Sequence, residues 1–560
     1  MATSTNRMVR KLEQDAARQT LEEQIRQSVE KVNEMATALM KVEESQQWNK
    51  FVEMWDELTR LRDLQDPHRK MSVASSSNKH TKEVKSTVEY DYKTALIDLL
   101  VWLKKKGAKI DGAVPVLEEP RKANSTKAPK YKPVLSIAPA SSVEGNGVFV
   151  TRDVPSDEVL IEIPRSLFLT TESIEESIIL KGMLKDDLIA DVQSVQLAIK
   201  LIYERYKDKS EWDPYIRALP RTYATVYYWS LSDIELIKGT PIFRDVLRTL
   251  TIAVRAYYEA YLAVFVHEMM RKSLFTYDTF IWALSAVYSR QNMVPALETI
   301  NSPEYQAAIA EIQKQQSGES ASTGASSSVV EKLPPAKSVL ALIPGFDMFN
   351  HEAGEMTSDF VFERNNLVLK SMKALKSGEQ AYMSYGDRPN SELLLQQGFV
   401  PDVSPSDHLL FYMALSASDP LKQQKEAALK EVGLVFEESG LVALPLIVNK
   451  LAPATLLFLR VLACNDASVL NKAALTASLS ADKPLQASTE ATARKFFTLK
   501  CQQFLNSLPE GIAKKAVEAK ATNPHTNEQN ISRSITLYLA SLHALLTSNI
   551  ALLAGLPAAQ

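Results

Sequence analysis

The sequence predicts an α+β fold: a small β structure interrupted by a helical insertion, preceded by amino-terminal helices and followed by a helical domain. Three observations lead there. β-Rich runs occur at Gly147–Thr151 and Glu158–Ile163 and return at Asp359–Glu363 and Leu367–Ser371. Apolar residues at helical spacing fill much of the interval, about 185–289. From about Asp407 to the end, helical patterns dominate.

A chain of 560 residues exceeds one ordinary core, so two to four packed units are expected. With 64 basic against 67 acidic residues the net charge is −3, which supplies no global field for nucleic acid or a membrane surface. Cys464 and Cys501 are too few for a disulfide framework or a Cys-rich zinc site, and they fit the cytosol or nucleus. The opening MATSTNRMVRKLEQD has neither the apolar core of a signal peptide nor the acid-poor character of a transit peptide. Ile535–Pro557 is the most apolar stretch; Ser541, His543, Ser548 and Asn549 interrupt it, so it reads as a packed helix and no membrane partner is expected.

In chain order, Leu21, Ile25, Val29, Val32 and Leu39 share a helical face, as do Trp48, Phe51, Val52, Trp55 and Leu58. Two helices over 20–62 are expected to pack on the rest of the molecule, since no heptad run is long enough for a coiled-coil arm; a monomer is favoured. The Lys-rich polar stretches 72–88 and 121–134 read as linkers around an amphipathic helix, Tyr90–Lys106, with Gly107 as its C-cap. After the first β runs, Val192, Val195, Ile199 and Ile202 begin the insertion, which continues through Ile252–Arg271 and Thr279–Ser289. The Ser/Gly/Ala/Pro-rich 296–337 reads as a loop. Asn365 and Asn366 suit a tight turn between the later strands, and Leu375–Ser384 gives a further strand-like run.

Polar groups gather behind two strands. ALIPGFDMFNHEAG sets Asp347, Asn350 and His351 after an apolar run, which alone is also what a strand ending in a turn would look like. His351 has no second His or Cys at ligand spacing, so no metal site is expected. EQAYMSYGDRPNSELLLQQGFV then places Tyr385-Gly386 at a strand end, followed by a turn, a short helix and Gly398-Phe399.

The ordered set Asn350-His351, Tyr385-Gly386, Asn390, Glu392 and Gly398-Phe399 resembles the SET-domain protein methyltransferases of the Rubisco large-subunit methyltransferase-like class. Glu144–Thr170 resembles the glycine-bearing first hairpin of that fold. SRQNMVP and ALIPGFDMFNH resemble the actin-histidine-methylating branch in particular. The likeness spans about 45–500. It implies amino-terminal helices and linker over 1–89, a SET catalytic domain over 90–400 with the insertion inside it, and a helical Rubisco-methyltransferase-type substrate-binding domain over 401–560.

The resemblance also implies S-adenosyl-L-methionine as cofactor and a protein substrate, actin. Around the cofactor it places Glu144, Gly145, Gly147, Glu172, Arg290, Asp347, Met348, Phe349, Asn350, His351, Gln397, Gly398 and Phe399. Glycine at 145 and 147 would let backbone approach the ligand. Tyr385 and Asn292 are the expected catalytic residues; Gln291, Asn292, Phe346 and Arg388 would meet the substrate.

Methyl transfer from a sulfonium is an in-line displacement that needs alignment and exclusion of water more than acid–base chemistry. Asn292 bears on the acceptor. A neutral imidazole has one N–H and one lone pair, so an amide oxygen taking the N–H fixes the tautomer and aims the other nitrogen at the methyl group. A lysine acceptor would need a deprotonated amine. Phe346, where the branch has tryptophan, and Phe149, where it has a cofactor-contacting arginine, depart from the pattern. A lysine methyltransferase and a non-catalytic SET-fold binding protein therefore stay open, as does Asn292 acting only as a helix-end cap.

Overall fold

The computed structural model describes residues 2–66, 92–110, 135–141, 145–174, 180–181, 187–190, 192–266, 270, 272–308, 337–352, 356–363, 365–402, 404–437, 440–481 and 483–555. Much of the 296–337 stretch and of both expected linkers lies outside them. The chain forms two compact units. The first comprises Met1–Tyr223, Arg248–His351 and Met356–Met383; the second comprises Ala224–Leu247, Glu352–Glu355 and Ser384–Gln560.

Three small sheets frame the first unit. One has the order β1 (Leu135–Ser141), β2 (Gly145–Val150), β10 (Gln380–Met383), β7 (Asn350–His351). A second has β3 (Val159–Pro164), β9 (Asn366–Ser371), β8 (Ser358–Glu363), and a third has β4 (Leu169–Thr170), β6 (Ser338–Leu342), β5 (Asn292–Pro295). The β8–β9 hairpin matches the expected pair, with Glu363 opposite Asn366 beside the Asn turn. Leu367, Val368 and Leu369 of β9 are buried, as suits a middle strand.

Two readings of the early strands are corrected. Glu144–Thr170 is not one hairpin: β2 pairs with β1, from Leu135 opposite Val150 to Ser141 opposite Gly145, while β3 pairs with β9. β1 was hidden because Pro139 lacks an N–H and reads as a breaker; the ladder is irregular between Pro139 and Ser141. The strand read over Leu375–Ser384 is also shorter, Gln380–Met383, because Lys376–Gly378 folds into a turn with Gly378 at φ +92°.

Two amino-terminal helices, Ala2–Leu39 and Glu44–Gln65, pack through Val29, Val32, Ala36 and Leu39 against Phe51, Met54, Leu58 and Leu61, all buried. Glu57 is buried between them and accepts from Ser28 and Lys31, each at 2.7 Å. The pair docks on the insertion: Arg62 meets Asp278 at 2.5 Å, and Gln65 donates to the Tyr257 hydroxyl at 2.7 Å. Tyr257 sits among Phe275, Tyr277 and Phe280, and its own hydroxyl donates a hydrogen bond to the Phe275 carbonyl at 3.1 Å. The insertion supplies the helices Gln193–Tyr206, Asp213–Ala218 and Tyr277–Arg290, the last of which runs directly into β5.

The second unit is mainly helical, and it also carries a two-stranded sheet absent from the sequence reading. β11 (His408–Met413) pairs antiparallel with β12 (Val442–Ile447). Leu409, Phe411 and Met413 are buried while Leu410 and Tyr412 are exposed. The two-residue period was invisible because both faces are apolar. The Asn527–Ala554 helix is, among the described residues, the one long and apolar enough to cross a membrane by length and composition. Within its unit it packs, with Ile535, Leu539, Leu542 and Leu546 buried and Asn549 donating to the Ile447 carbonyl at 3.0 Å.

Candidate functional site

β7 is only two residues long, yet it fixes the site's centre. It pairs parallel with β10, Asn350 beside Tyr382 and His351 beside Met383, which joins segments distant in sequence. The Asn350 amide donates from Nδ2 to the Asn146 carbonyl at 3.1 Å and to Gln380 Oε1 at 2.8 Å. A backbone carbonyl can only accept, so the amide's orientation is settled and its Oδ1 faces away as an acceptor. Gly147 makes this possible. A Cβ there would lie 1.8 Å from Gln380 Oε1 and 3.1 Å from Asn350 Nδ2. Glycine at 147 thus makes room for a side-chain pair, whereas Gly145, at φ +70°, holds a left-handed backbone. Glu144 lies outside the described residues.

A second cluster forms around Asp347, in the short turn Phe346–Met348 just before β7. Its carboxylate is fully buried. Tyr215 of the insertion donates to Asp347 Oδ2 at 2.5 Å, and Arg290 Nη1 donates to the Asp347 backbone oxygen at 2.7 Å while standing 3.6 Å from Oδ2. Burial pushes the Asp347 pKa up, against the opposing pull of Arg290 and the Tyr215 hydrogen bond. Burial, then the Asp347 charge, pushes Tyr215 well above its ordinary range, so the hydroxyl keeps its proton.

Two residues on, Asn292 repeats the polarity seen at Asn350. Its Nδ2 donates to the Arg290 carbonyl at 3.0 Å, again an obligate acceptor, so the amide's orientation is fixed and Oδ1 is the acceptor end of a half-buried strand residue. Gln291 ends the preceding helix, its N–H on the Val287 carbonyl and its Oε1 buried without a protein partner. Glu172 braces the surroundings: Oε2 accepts from Arg165 at 2.7 Å and Oε1 from the Leu297 N–H at 2.6 Å. Phe346 is fully buried, edge-on to Phe360, and Met348 and Phe349 are buried beside it in sequence.

The remaining expected residues belong to the second unit. Tyr385 and Phe399 meet edge-on, ring centroids 6.4 Å apart. Arg388 donates to the Tyr385 carbonyl at 2.8 Å, to Glu392 at 2.8 Å and to Gln396 at 2.9 Å, so its fork fixes the turn that carries the tyrosine. Gln397 ends a five-residue π-helical turn. Gly398 follows at φ +82°, and a Cβ there would lie 2.6 Å from the Ala224 carbonyl carbon. Ser534 donates to the Gly398 carbonyl at 3.2 Å. Nearby, Asn390 donates from backbone and side chain to Asp407, at 3.0 and 2.8 Å.

The structure therefore brings Asn350, Gly147, Asp347, Arg290 and Asn292 into two linked clusters of the first unit, and Tyr385, Arg388 and Phe399 into one of the second. Sequence reasoning missed Tyr215 and Gln380. Tyr215 reads as an apolar-face aromatic of an insertion helix, and Gln380 as an ordinary strand residue. The one available signal for Gln380 was its place at the start of the strand that leads to Tyr385.

Residues 145–386 match the SET domain model, and residues 416–542 match the Rubisco LSMT substrate-binding model. An actin-histidine N-methyltransferase of Gallus gallus is 28% identical over 327 residues, which is 58% of this chain and 49% of that protein. The Homo sapiens protein of the same name is 26% identical over 413 residues, 73% of this chain and 57% of its own length. The chain thus spans about half the length of the curated relatives it matches. A crystal structure of the SET domain of LSMT bound to lysine and AdoHcy superposes with a TM-score of 0.58 at 18% identity, covering 83% of this chain and 92% of that one. Rubisco LSMT bound to sinefungin and monomethyllysine gives 0.56 at 20% identity, covering 82% and 91%. At these identities the likeness is one of fold.

Proposed function

We propose, from the premise that this chain carries a SET domain followed by a Rubisco LSMT-type substrate-binding domain, that it is an S-adenosyl-L-methionine-dependent protein-histidine N-methyltransferase acting on actin. One observation carries the choice of histidine. Asn292 has one N–H of its Nδ2 on the Arg290 carbonyl, which fixes the amide's orientation and leaves Oδ1 as an acceptor. An imidazole N–H meets that oxygen, which holds the tautomer whose other nitrogen keeps its lone pair. A lysine ammonium has no lone pair until it loses a proton, and a single amide acceptor does not remove one.

The residues fit the cofactor. Asn350 Oδ1 is an acceptor suited to an α-amino group, Gly145 and Gly147 bring side-chain-free backbone beside it, and Asp347–His351 form the adjoining wall. When bound, S-adenosyl-L-methionine supplies a methyl group on a sulfonium sulfur. Asn292 orients the acceptor, and its hold on the N–H strengthens as the ring becomes cationic. Tyr385 fixes the acceptor through its hydroxyl, on a turn braced by Arg388. The resemblance assigns Glu172, Phe349, Gln397, Gly398 and Phe399 to the cofactor and Gln291, Phe346 and Arg388 to the substrate. The second unit would grip folded actin, and the compartment proposed is the cytosol or nucleus, consistent with Cys464 and Cys501 both free and buried.

Incubation with actin and the cofactor, followed by peptide mass spectrometry, tests the reading. A methylated actin histidine is expected. An unmodified histidine together with methylated lysine on another protein would instead favour the lysine-methylating alternative, and no transfer with no binding of S-adenosylhomocysteine would favour a scaffold.

A further inference from the structure

We propose that Gln380 is a positioning residue that takes up the second N–H of the Asn350 amide, whose orientation the Asn146 carbonyl fixes, and thereby makes the site selective for a cofactor bearing a free α-amino group. This deepens, and rests on, the reading that S-adenosyl-L-methionine is the cofactor. An asparagine amide has nearly the same shape in its two orientations, so what it offers a ligand is decided by what holds its other end. Here two acceptors hold Nδ2: the Asn146 carbonyl at 3.1 Å and Gln380 Oε1 at 2.8 Å. Both N–H groups are thereby used, and the outward atom is the oxygen.

Gln380 is itself held. Its Nε2 donates to the Tyr382 hydroxyl, which leaves Oε1 as the atom facing Asn350. Tyr382 is fixed in turn, since its N–H donates to Thr357 Oγ1 at 2.5 Å and its carbonyl accepts from Thr357 and Ser358 at 3.0 and 2.7 Å. Gly147 is the second, independent observation. A methyl group there would fall 1.8 Å from Gln380 Oε1, so the backbone of β2 is shaped around this one oxygen. Without Gln380, the Asn146 carbonyl alone would hold one N–H and leave the other free to turn toward the ligand. The site would then offer a mixed donor and acceptor to a cationic amine, which can only donate.

The test is calorimetric and uses the full chain. S-adenosylhomocysteine is titrated alongside the analogue in which hydrogen replaces its α-amino group. A charge-assisted hydrogen bond gives wild type a preference of about 10- to 100-fold for the amino form. Gln380→Leu should reduce that preference to within about threefold, and Gly147→Ala, which displaces Gln380, should act in the same direction. Gln380→Glu keeps an oxygen facing Nδ2 and should preserve the preference. If the leucine variant fails to fold, Gln380→Met replaces it, with thermal unfolding as the check. A preference unchanged in Gln380→Leu overturns the inference, as does Gln380→Glu losing as much as Gln380→Leu. Wild type binding both ligands equally overturns the inference alone. Wild type binding neither overturns the cofactor reading, and the inference with it.

Discussion

Arg460 in the second unit and Arg290 in the first both lie beside a buried carboxylate, yet they use it differently. Arg460 forks onto Glu490, Nε to Oε2 at 2.8 Å and Nη2 to Oε1 at 2.9 Å, and gives its other N–H groups to the carbonyls of Ser478, Ser480 and Ala481 at 2.7–2.9 Å. Both side chains are 1% exposed and all five donors are matched. Arg290 instead bonds the backbone oxygen of Asp347 and stays 3.6 Å from its carboxylate, whose short partner is the neutral Tyr215 hydroxyl. The first arrangement closes a loop and leaves nothing for a ligand. The second ties three segments together, the Asp213–Ala218 helix, the end of the Tyr277–Arg290 helix and the turn before β7, and holds the Arg290 carbonyl on which Asn292 depends. Saturated charge stabilises; partly matched charge positions.

The largest test of that contrast is Arg460→Leu. Removing the guanidinium leaves the buried Glu490 with Arg494 on Oε1 and nothing from Arg460 on Oε2, and strips three carbonyls of their donor, at a cost of about 3–5 kcal/mol in urea unfolding. A double replacement of Arg460 and Glu490 by apolar residues should cost less, because the charge that loses Glu490, Arg494, is partly exposed. A mild single variant would show that the cluster is not the lock its geometry indicates.

Asn292→Ala is the corresponding break in the first unit. It should lower the rate on a histidine acceptor about 100-fold while leaving S-adenosylhomocysteine affinity in calorimetry near wild type. Equal losses in both would assign Asn292 to general packing. Tyr215→Phe is smaller, about 2 kcal/mol of stability, since a buried carboxylate oxygen loses its donor without a change of shape. It should also drive the Asp347 pKa higher still, readable by carboxyl-group NMR titration.

The smallest effect is on pH dependence. Asp347 binds its proton more readily folded than unfolded, because its pKa is raised from the ordinary 3.8. Its contribution therefore favours folding at low pH and declines as pH rises through the folded pKa. The stability difference, wild type minus Asp347→Asn, should fall with rising pH over that window. Glu57, Asp153 and Glu162, all held below their usual range by lysine partners, make the opposite contribution, lost as pH falls, and cancel in the difference. A difference that rises with pH would mean that Arg290 outweighs burial.

How much was legible differs between elements for identifiable reasons. The β8–β9 hairpin, the insertion helices and the amino-terminal pair were readable because each writes its period locally, in apolar spacing and an Asn turn. β1 and the β11–β12 sheet were not: Pro139 disguised one, and apolar residues on both faces erased the alternation of the other. In the site, the segments holding Asn350-His351 and Tyr385-Gly386 stood out as polar groups at strand ends. Gly147 was singled out for a ligand's approach, and the structure adds that a Cβ there would meet Gln380 Oε1 at 1.8 Å. Tyr215 and Gln380 carry no local mark, since a buried tyrosine and a strand glutamine look the same whether or not they hold a neighbour.

The sequence by itself determined which residue types are present, where the chain turns from strand to helix, and which ordered motifs it shares with SET-domain proteins. The tertiary structure decided what each polar group offers. Two asparagines with acceptor oxygens, one carboxylate with a raised pKa and one glycine beside a glutamine all follow from partners 2 to more than 200 positions away, from Asn292 with Arg290 to Asn350 with Asn146. The physical reason is that an amide or carboxyl group's chemistry depends on its hydrogen-bond partners and its burial, and those are set by strand pairing and packing across the chain.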